Sequence, residues 1–194
     1  MSVGLPEIAW GLGLAVLLGG LSWSFVEYAI HGLLSHRFRT PVSPVHWGHH
    51  RTRAAVFTSP LAWVPTGLAI FVVGAWIVDA PHSAAFLAGL LAGFLRYEYV
   101  HWRIHFRKPR TPRQELLRNH HLAHHFVNPK AYYGVTTRLW DHALGSLPDQ
   151  WPVDYARIAA TPPIPGPSNL RASWNPRAMG EALTTALRGE GEPR

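Results

Sequence analysis

Ten of the thirteen histidines in this sequence (31, 36, 46, 49, 50, 101, 105, 121, 124 and 125) fall into four groups at spacings suited to holding metal. On a helix, residues at i, i+3 and i+4 share a face, so His46, His49 and His50 converge, and so do His121, His124 and His125. His101 and His105 stand one turn apart. His31 and His36 are five apart, about 140° around an ideal helix. That pair needs a helix end or a local distortion to converge, with one partner past the last regular turn. One ion takes about three to six protein ligands, so ten imidazoles point to two ions with roughly five each and positions left open. His120, one turn before His124, is an alternate to His121. We prefer His121 because it repeats the H-x-x-H-H spacing of His46–His50. His82 and His142 stand outside the groups and read as ordinary surface histidines.

The rest of the composition narrows the chemistry. Cysteine is absent, which excludes disulfides, thiolate zinc sites and cysteine nucleophiles and leaves only nitrogen and oxygen ligands. A metal-binding tail would be contiguous, whereas these histidines recur at helical intervals from residue 31 to residue 125. Carboxylates are scarce. Glu27 precedes His31 by one turn and Glu98 precedes His101 by three residues, each placed to accept a ligand's free ring N–H, with Asp141 as a third candidate for that supporting role. No catalytic side chain beyond the metal ligands is expected.

The elements that position these groups are membrane helices. Three stretches have the length and apolarity to span a bilayer: Ile8–Leu34, Pro60–Val78 and Ser83–His105. The first has neither a basic leader nor a small-residue cleavage site, so it reads as a retained helix rather than a signal peptide. Asp79-Ala80-Pro81-His82 joins the second and third as an antiparallel hairpin. If the first span ends inside, every Lys and Arg lies on that side or in the inner end of the third span, at Arg96 and Arg103. Met1–Glu7 and Asp79–His82 carry none. The positive-inside rule then sets the orientation, and all four histidine groups reach the cytosolic face. The formal charge of +7 therefore serves topology and anionic headgroups rather than nucleic acid.

Beyond Phe106 the chain is polar. Ser43-Pro44 starts a short helix through His50, and Thr111-Pro112-Arg113-Gln114 starts one over about Pro112–Phe126. Thr161–Ser168 is an extended connector, and Pro176–Arg188 a last weakly amphipathic helix. The tryptophans and tyrosines of the spans serve as interfacial belts and packing, some of them lining a substrate groove. The predicted fold is all-α: a polytopic membrane helix bundle over residues 1–145, with a cytosolic helical cap holding a histidine-rich binuclear site. A Pro-rich cytosolic tail follows over 146–194.

Glu27-Tyr28 with His31-x4-His36, then His46-x2-His49-His50, His101-x3-His105 and His121-x2-His124-His125, resembles the fatty acid hydroxylase superfamily. So does Tyr133-Gly134-Val135-Thr136-Thr137-Arg138-Leu139-Trp140-Asp141. The match spans about Trp23–Gly145, and its H-H-x-x-H-H cluster is most similar to the fatty acid 2-hydroxylase branch. The resemblance implies an iron pair, with zinc bound in its place in some forms. It implies O2 as co-substrate, an external electron donor supplied by a separate protein because no cytochrome b5 domain is fused here, and a lipid substrate. The expected reaction is hydroxylation of a fatty acyl C–H bond, with sterol desaturation or carotenoid hydroxylation as the rival within the class. A zinc hydrolase would need an H-E-x-x-H helix, which is missing. A metal carrier would place its ligands near the bilayer midplane rather than at helix ends.

Overall fold

The computed structural model describes residues 5–38, 40–51 and 56–160. The connector over Thr161–Ser168 and the helix over Pro176–Arg188 lie outside the described residues. Every described regular element is helical: α1 (Leu5–Tyr28), a π-helical segment (Ala29–Arg37), α2 (Ser43–Arg51), α3 (Pro60–Ile77), α4 (Ala80–Phe106), α5 (Pro112–Phe126), α6 (Leu139–Ala143) and α7 (Trp151–Ala159). The hairpin turn is tighter than the sequence suggests, because α4 begins at Ala80. The Asp79 carboxylate accepts from the His82 backbone N–H at 2.7 Å, which caps the helix, and Pro81 lies in the first turn, where its missing N–H costs nothing. α5 starts as its capping pattern predicts, with the Thr111 side chain accepting from Gln114 N.

The chain divides into two compact units. The first takes Met1–Val26 and Thr58–Arg96, and in it α1 and α4 meet at backbone contact. A Cβ on Gly89 would stand 1.9 Å from the Val16 carbonyl oxygen, and one on Gly19 2.0 Å from that of Phe86. Gly93, one turn after Gly89, receives the Trp23 side chain, which packs edge-on to Phe94 at 5.2 Å. Gly89-x-x-x-Gly93 is thus a small-residue seam of the kind that lets apolar helices approach closely. The outward surface of this unit is apolar: Trp10 and Trp76 are 81% and 88% exposed, with Leu17, Leu21, Leu68 and Val72 exposed beside them. A single helical stretch among the described residues, Pro6–Arg37, is long and apolar enough to cross a membrane, and Trp63–Ile77 is a shorter apolar helix.

The second unit takes Glu27–Phe57 and the chain from Tyr97 onward. Its core gathers Ile104, Leu117, Leu122, Tyr132, Tyr155 and Ile158. α7 packs there against α5. Residues 151–159, placed by the sequence in a tail beginning at 146, are therefore part of the unit that carries the histidines.

The glycine seam makes a direct prediction. Gly89→Leu should overpack α1 against α4 at a cost of about 1–3 kcal/mol or more, lowering the melting temperature in detergent. Gly13→Ala, with nothing within 4 Å of the added methyl, should not. Equal melting of the two variants would show that the seam is not tightly packed.

Candidate metal centre

His31 and His36 come together because the helix changes its period beneath them. Over Ala29–Arg37 the chain is π-helical, with bonds running from i to i+5, so residues five apart lie near one face. The Phe38 N–H bonds the Leu33 carbonyl at 2.8 Å, and the Ser35 hydroxyl bonds the Ile30 carbonyl at 2.7 Å, both five residues back. The distortion needed by the five-residue spacing is therefore a widened helix rather than a helix end, and both rings sit within it. Gly32 makes room: a Cβ there would meet the Tyr133 ring at 2.7 Å.

The ten histidines gather into two clusters of five. One holds His31, His36, His46, His50 and His124; the other holds His49, His101, His105, His121 and His125. The two H-x-x-H-H motifs are divided in opposite senses. α2 gives its i, i+4 pair (His46, His50) to the first cluster and His49 to the second. α5 gives its i, i+4 pair (His121, His125) to the second and His124 to the first. The π-helical pair completes one cluster and the α4 pair the other. The clusters adjoin, with the His50 and His125 rings stacked at 4.2 Å.

The nitrogens face one another in a way hydrogen bonding does not explain. His31 Nδ1 lies 2.5 Å from the Tyr133 carbonyl oxygen, and His124 Nδ1 lies 2.8 Å from that of Ala131. A carbonyl only accepts, so both Nδ1 atoms carry hydrogen, and in a neutral ring Nε2 is left with its lone pair. Yet the two Nε2 atoms are 3.0 Å apart. His124 Nε2 also lies 3.0 Å from His36 Nε2 and 3.1 Å from His50 Nε2. His121 Nε2 likewise meets those of His101, His105 and His125 at 3.0–3.1 Å. A ring nitrogen has one in-plane position and cannot serve three such bonds. A shared cation resolves the repulsion. Nitrogens bonded to one ion at about 2.1 Å stand about 3.0 Å apart at right angles and about 3.4 Å at the tetrahedral angle. The measured spacing fits the former, and the residues present fit a metal ion in each cluster.

Of the three expected supporting residues, Glu27 and Asp141 bind backbone N–H groups of the loop after α5. Glu27 is buried, but its carboxylate accepts from the Thr136 N–H at 2.7 Å, from the Thr136 hydroxyl and from the Val135 N–H. Both nitrogens of His31 are engaged elsewhere, so the expected contact of Glu27 with that ring is replaced by the Tyr133 carbonyl. Glu98 is buried three residues before His101. Asp141 is fully buried and accepts from Tyr133 N, Gly134 N, the Ser146 hydroxyl and His120 Nε2. Burial alone would raise its carboxyl, but the hydrogen bond from His120, then those from Ser146 and Gly134, hold it below the usual value. His120 stands outside both clusters: its Nε2 faces Asp141, and its Nδ1 accepts from the Tyr155 hydroxyl. His82 also stands apart, against the Asp79 carboxylate.

Sequence reasoning missed the parts of this site that lie on the loop Ala131–Gly134 and on Tyr155. The Tyr133–Asp141 motif marked the region without saying what it does. In the structure its backbone N–H groups bind Glu27 and Asp141, and Gly134 is required because a Cβ would stand 1.9 Å from the Thr137 carbonyl oxygen.

Comparison with known proteins agrees with this architecture. Residues 16–146 match the fatty acid hydroxylase family. The chain belongs to that family. Among curated hydroxylases, the dihydroceramide fatty acyl 2-hydroxylase FAH2 of Arabidopsis thaliana is 33% identical over 147 residues, covering 71% of this chain and 62% of that protein. The fatty acid 2-hydroxylase of Homo sapiens is 29% identical over 153 residues, covering 70% and 40%. This chain therefore spans less than two thirds of these relatives. A structure of full-length scs7p, with only the hydroxylase domain visible, superposes with a TM-score of 0.61 at 23% identity. The match covers 74% of this chain and 63% of that one, and shows a shared fold.

Two outcomes follow for this hydroxylase-family chain. Burial, reinforced by neighbouring imidazoles, holds His46, His121, His124 and His125 well below the usual histidine value, and burial takes His50 down to about 4. Without metal, the unfolded chain takes up protons near pH 6.5 that the folded chain refuses. Stability is then fully present above about pH 6.5 and is lost as pH falls through that value toward 4 and below. Denaturant melts of chelator-treated protein across this range should show that slope; stability that rises on acidification would contradict it. In addition, His49→Ala should lower bound metal per chain while His82→Ala leaves it unchanged, as read by elemental analysis. Equal loss from both would dissolve the distinction between cluster and surface histidines.

Proposed function

We propose that this chain is a multi-pass membrane oxygenase that hydroxylates a C–H bond of a lipid acyl chain, using two iron ions, O2 and electrons from a separate carrier protein. The observation that carries this reading is the pair of five-imidazole clusters, each with ring lone pairs turned inward at ion-sharing distance. The names of the relatives supply the substrate class: fatty acyl, fatty acid and ceramide very long chain fatty acid hydroxylases. The outward apolar surface of the first unit and the one-sided placement of Lys and Arg support membrane insertion with the histidine-bearing segments on the cytosolic side.

The residues suit oxidation better than hydrolysis. Neither cluster includes a carboxylate that could act as a general base, and an alkyl C–H bond offers no group for acid–base catalysis to act on. When bound, an iron pair supplies the O2 activation that breaking such a bond requires. The chain's own part is to hold and exclude. Neutral imidazoles donate without adding charge, and His31, His36, His46, His50 and His124 would hold one ion and His49, His101, His105, His121 and His125 the other. The Tyr133 and Ala131 carbonyls fix two of the rings in the tautomer that points Nε2 inward. His121 and His124 are fully buried, while His36, His46, His50 and His125 are half-buried, so each cluster is closed on one side and reachable on the other.

Expression in a host lacking its own acyl hydroxylase tests the reading. Lipid mass spectrometry under labelled O2 should show acyl chains gaining one labelled oxygen atom, and His124→Ala should abolish the gain. New double bonds without oxygen would make the chain a desaturase, and unchanged lipids with bound iron would make it a metal-binding protein of another kind.

A further inference from the structure

The two clusters are alike in ligand number but differ in what holds their rings. We propose that Asp141 and His120 are positioning residues for the first cluster's ion alone, acting through the backbone carbonyls of Ala131 and Tyr133. The inference rests on the two-ion reading above and adds a distinction between the two sites.

The loop Ala131–Gly134 is the link. Its two odd-numbered carbonyls accept from His124 Nδ1 and His31 Nδ1, and both histidines belong to the first cluster. Where these carbonyls point therefore decides where two of that cluster's five lone pairs point. The loop does not hold this shape by intrinsic preference. Tyr132, between the two carbonyls, sits at φ 60°, in the left-handed region that a bulky side chain rarely adopts. Surrounding contacts must impose it. The Tyr132 hydroxyl donates to Asp154, its N–H donates to the Ser146 carbonyl at 3.1 Å, and its ring packs edge-on to His120 at 5.4 Å.

Asp141 clamps the far side. Oδ1 accepts from Tyr133 N and the Ser146 hydroxyl, both at 2.7 Å; Oδ2 accepts from Gly134 N at 2.8 Å and His120 Nε2 at 3.0 Å. All four donors converge on one fully buried carboxylate. His120 is the strut between elements. It lies on α5 one turn before His124 and touches Asp141 of α6 and the Tyr155 hydroxyl of α7. With both ring nitrogens occupied, it is a histidine of the motif region used for position rather than for coordination.

Zinc(II) alone is a sufficient probe. Chelator competition on the full purified chain should give two zinc ions per chain in the wild type. In Asp141→Asn an amide NH2 replaces an acceptor and faces N–H donors. One zinc should then bind about 10–100-fold more weakly, the usual effect of losing an outer-shell partner, while the other is unchanged. Adding His36→Ala, in the first cluster, should leave that tight zinc in place; adding His125→Ala, in the second, should weaken it. Tyr155→Phe, which removes only the hydroxyl on His120, should reproduce the selective loss in smaller measure should the asparagine variant not fold. Equal weakening of both zinc ions, loss at the second cluster, or no loss in either variant would overturn the inference while the two-ion reading stands. A wild type holding fewer than two zinc ions would overturn the two-ion reading, and this inference with it.

Discussion

Imidazole lone pairs turned toward one another in a buried space are the constraint around which this protein is organised. An unpaired buried acceptor is costly, and several aimed at a common point are untenable unless a cation takes them up. His31 and His124 make the point sharply, because each donates its only ring hydrogen to a carbonyl and still faces the other's Nε2 at 3.0 Å. Once the rings are set in this way, metal is part of the folded state's energetics as well as its chemistry. The depressed basicity of His46, His121, His124 and His125 has the same origin: burial and mutual proximity disfavour protons where a metal is favoured.

Holding ten rings in this arrangement determines the helices that carry them. The π-helical segment turns a five-residue spacing into a shared face. The two H-x-x-H-H motifs are read in opposite senses, so α2 and α5 each serve both clusters and neither cluster can form without both helices. Around them, buried carboxylates tie the loop after α5 in place: Glu27 holds Val135 and Thr136, and Asp141 holds Tyr133 and Gly134. Both acids accept from backbone N–H groups, so they fix the course of this loop.

Much of this was legible in the sequence, for physical reasons that also mark where legibility ends. Helical spacing announced α2 and α5, and Thr111 with Pro112 announced where α5 begins, because capping and periodicity are local. The preference for His121 over His120 came from a repeated spacing, and the structure puts His121 in a cluster and His120 on Asp141. The strain in the His31–His36 spacing was visible as well, but a π-helix and a helix end relieve it equally in a string of letters. What stayed hidden depends on contacts about a hundred residues apart. Nothing near Glu27 reveals that it will reach Thr136 rather than His31. Tyr132 does not advertise a left-handed backbone as a glycine would. Trp151–Ala159 fell within the Pro-rich tail, and its packing against α5 shows that it belongs to the core.

Anomalous diffraction from crystals of the iron-loaded chain, collected on either side of the iron edge, measures the central claim most directly. Two peaks should appear, one among the Nε2 atoms of His31, His36, His46, His50 and His124, the other among those of His49, His101, His105, His121 and His125. A single peak, or peaks bound by His120, His82 or carboxylates in place of these rings, would contradict it.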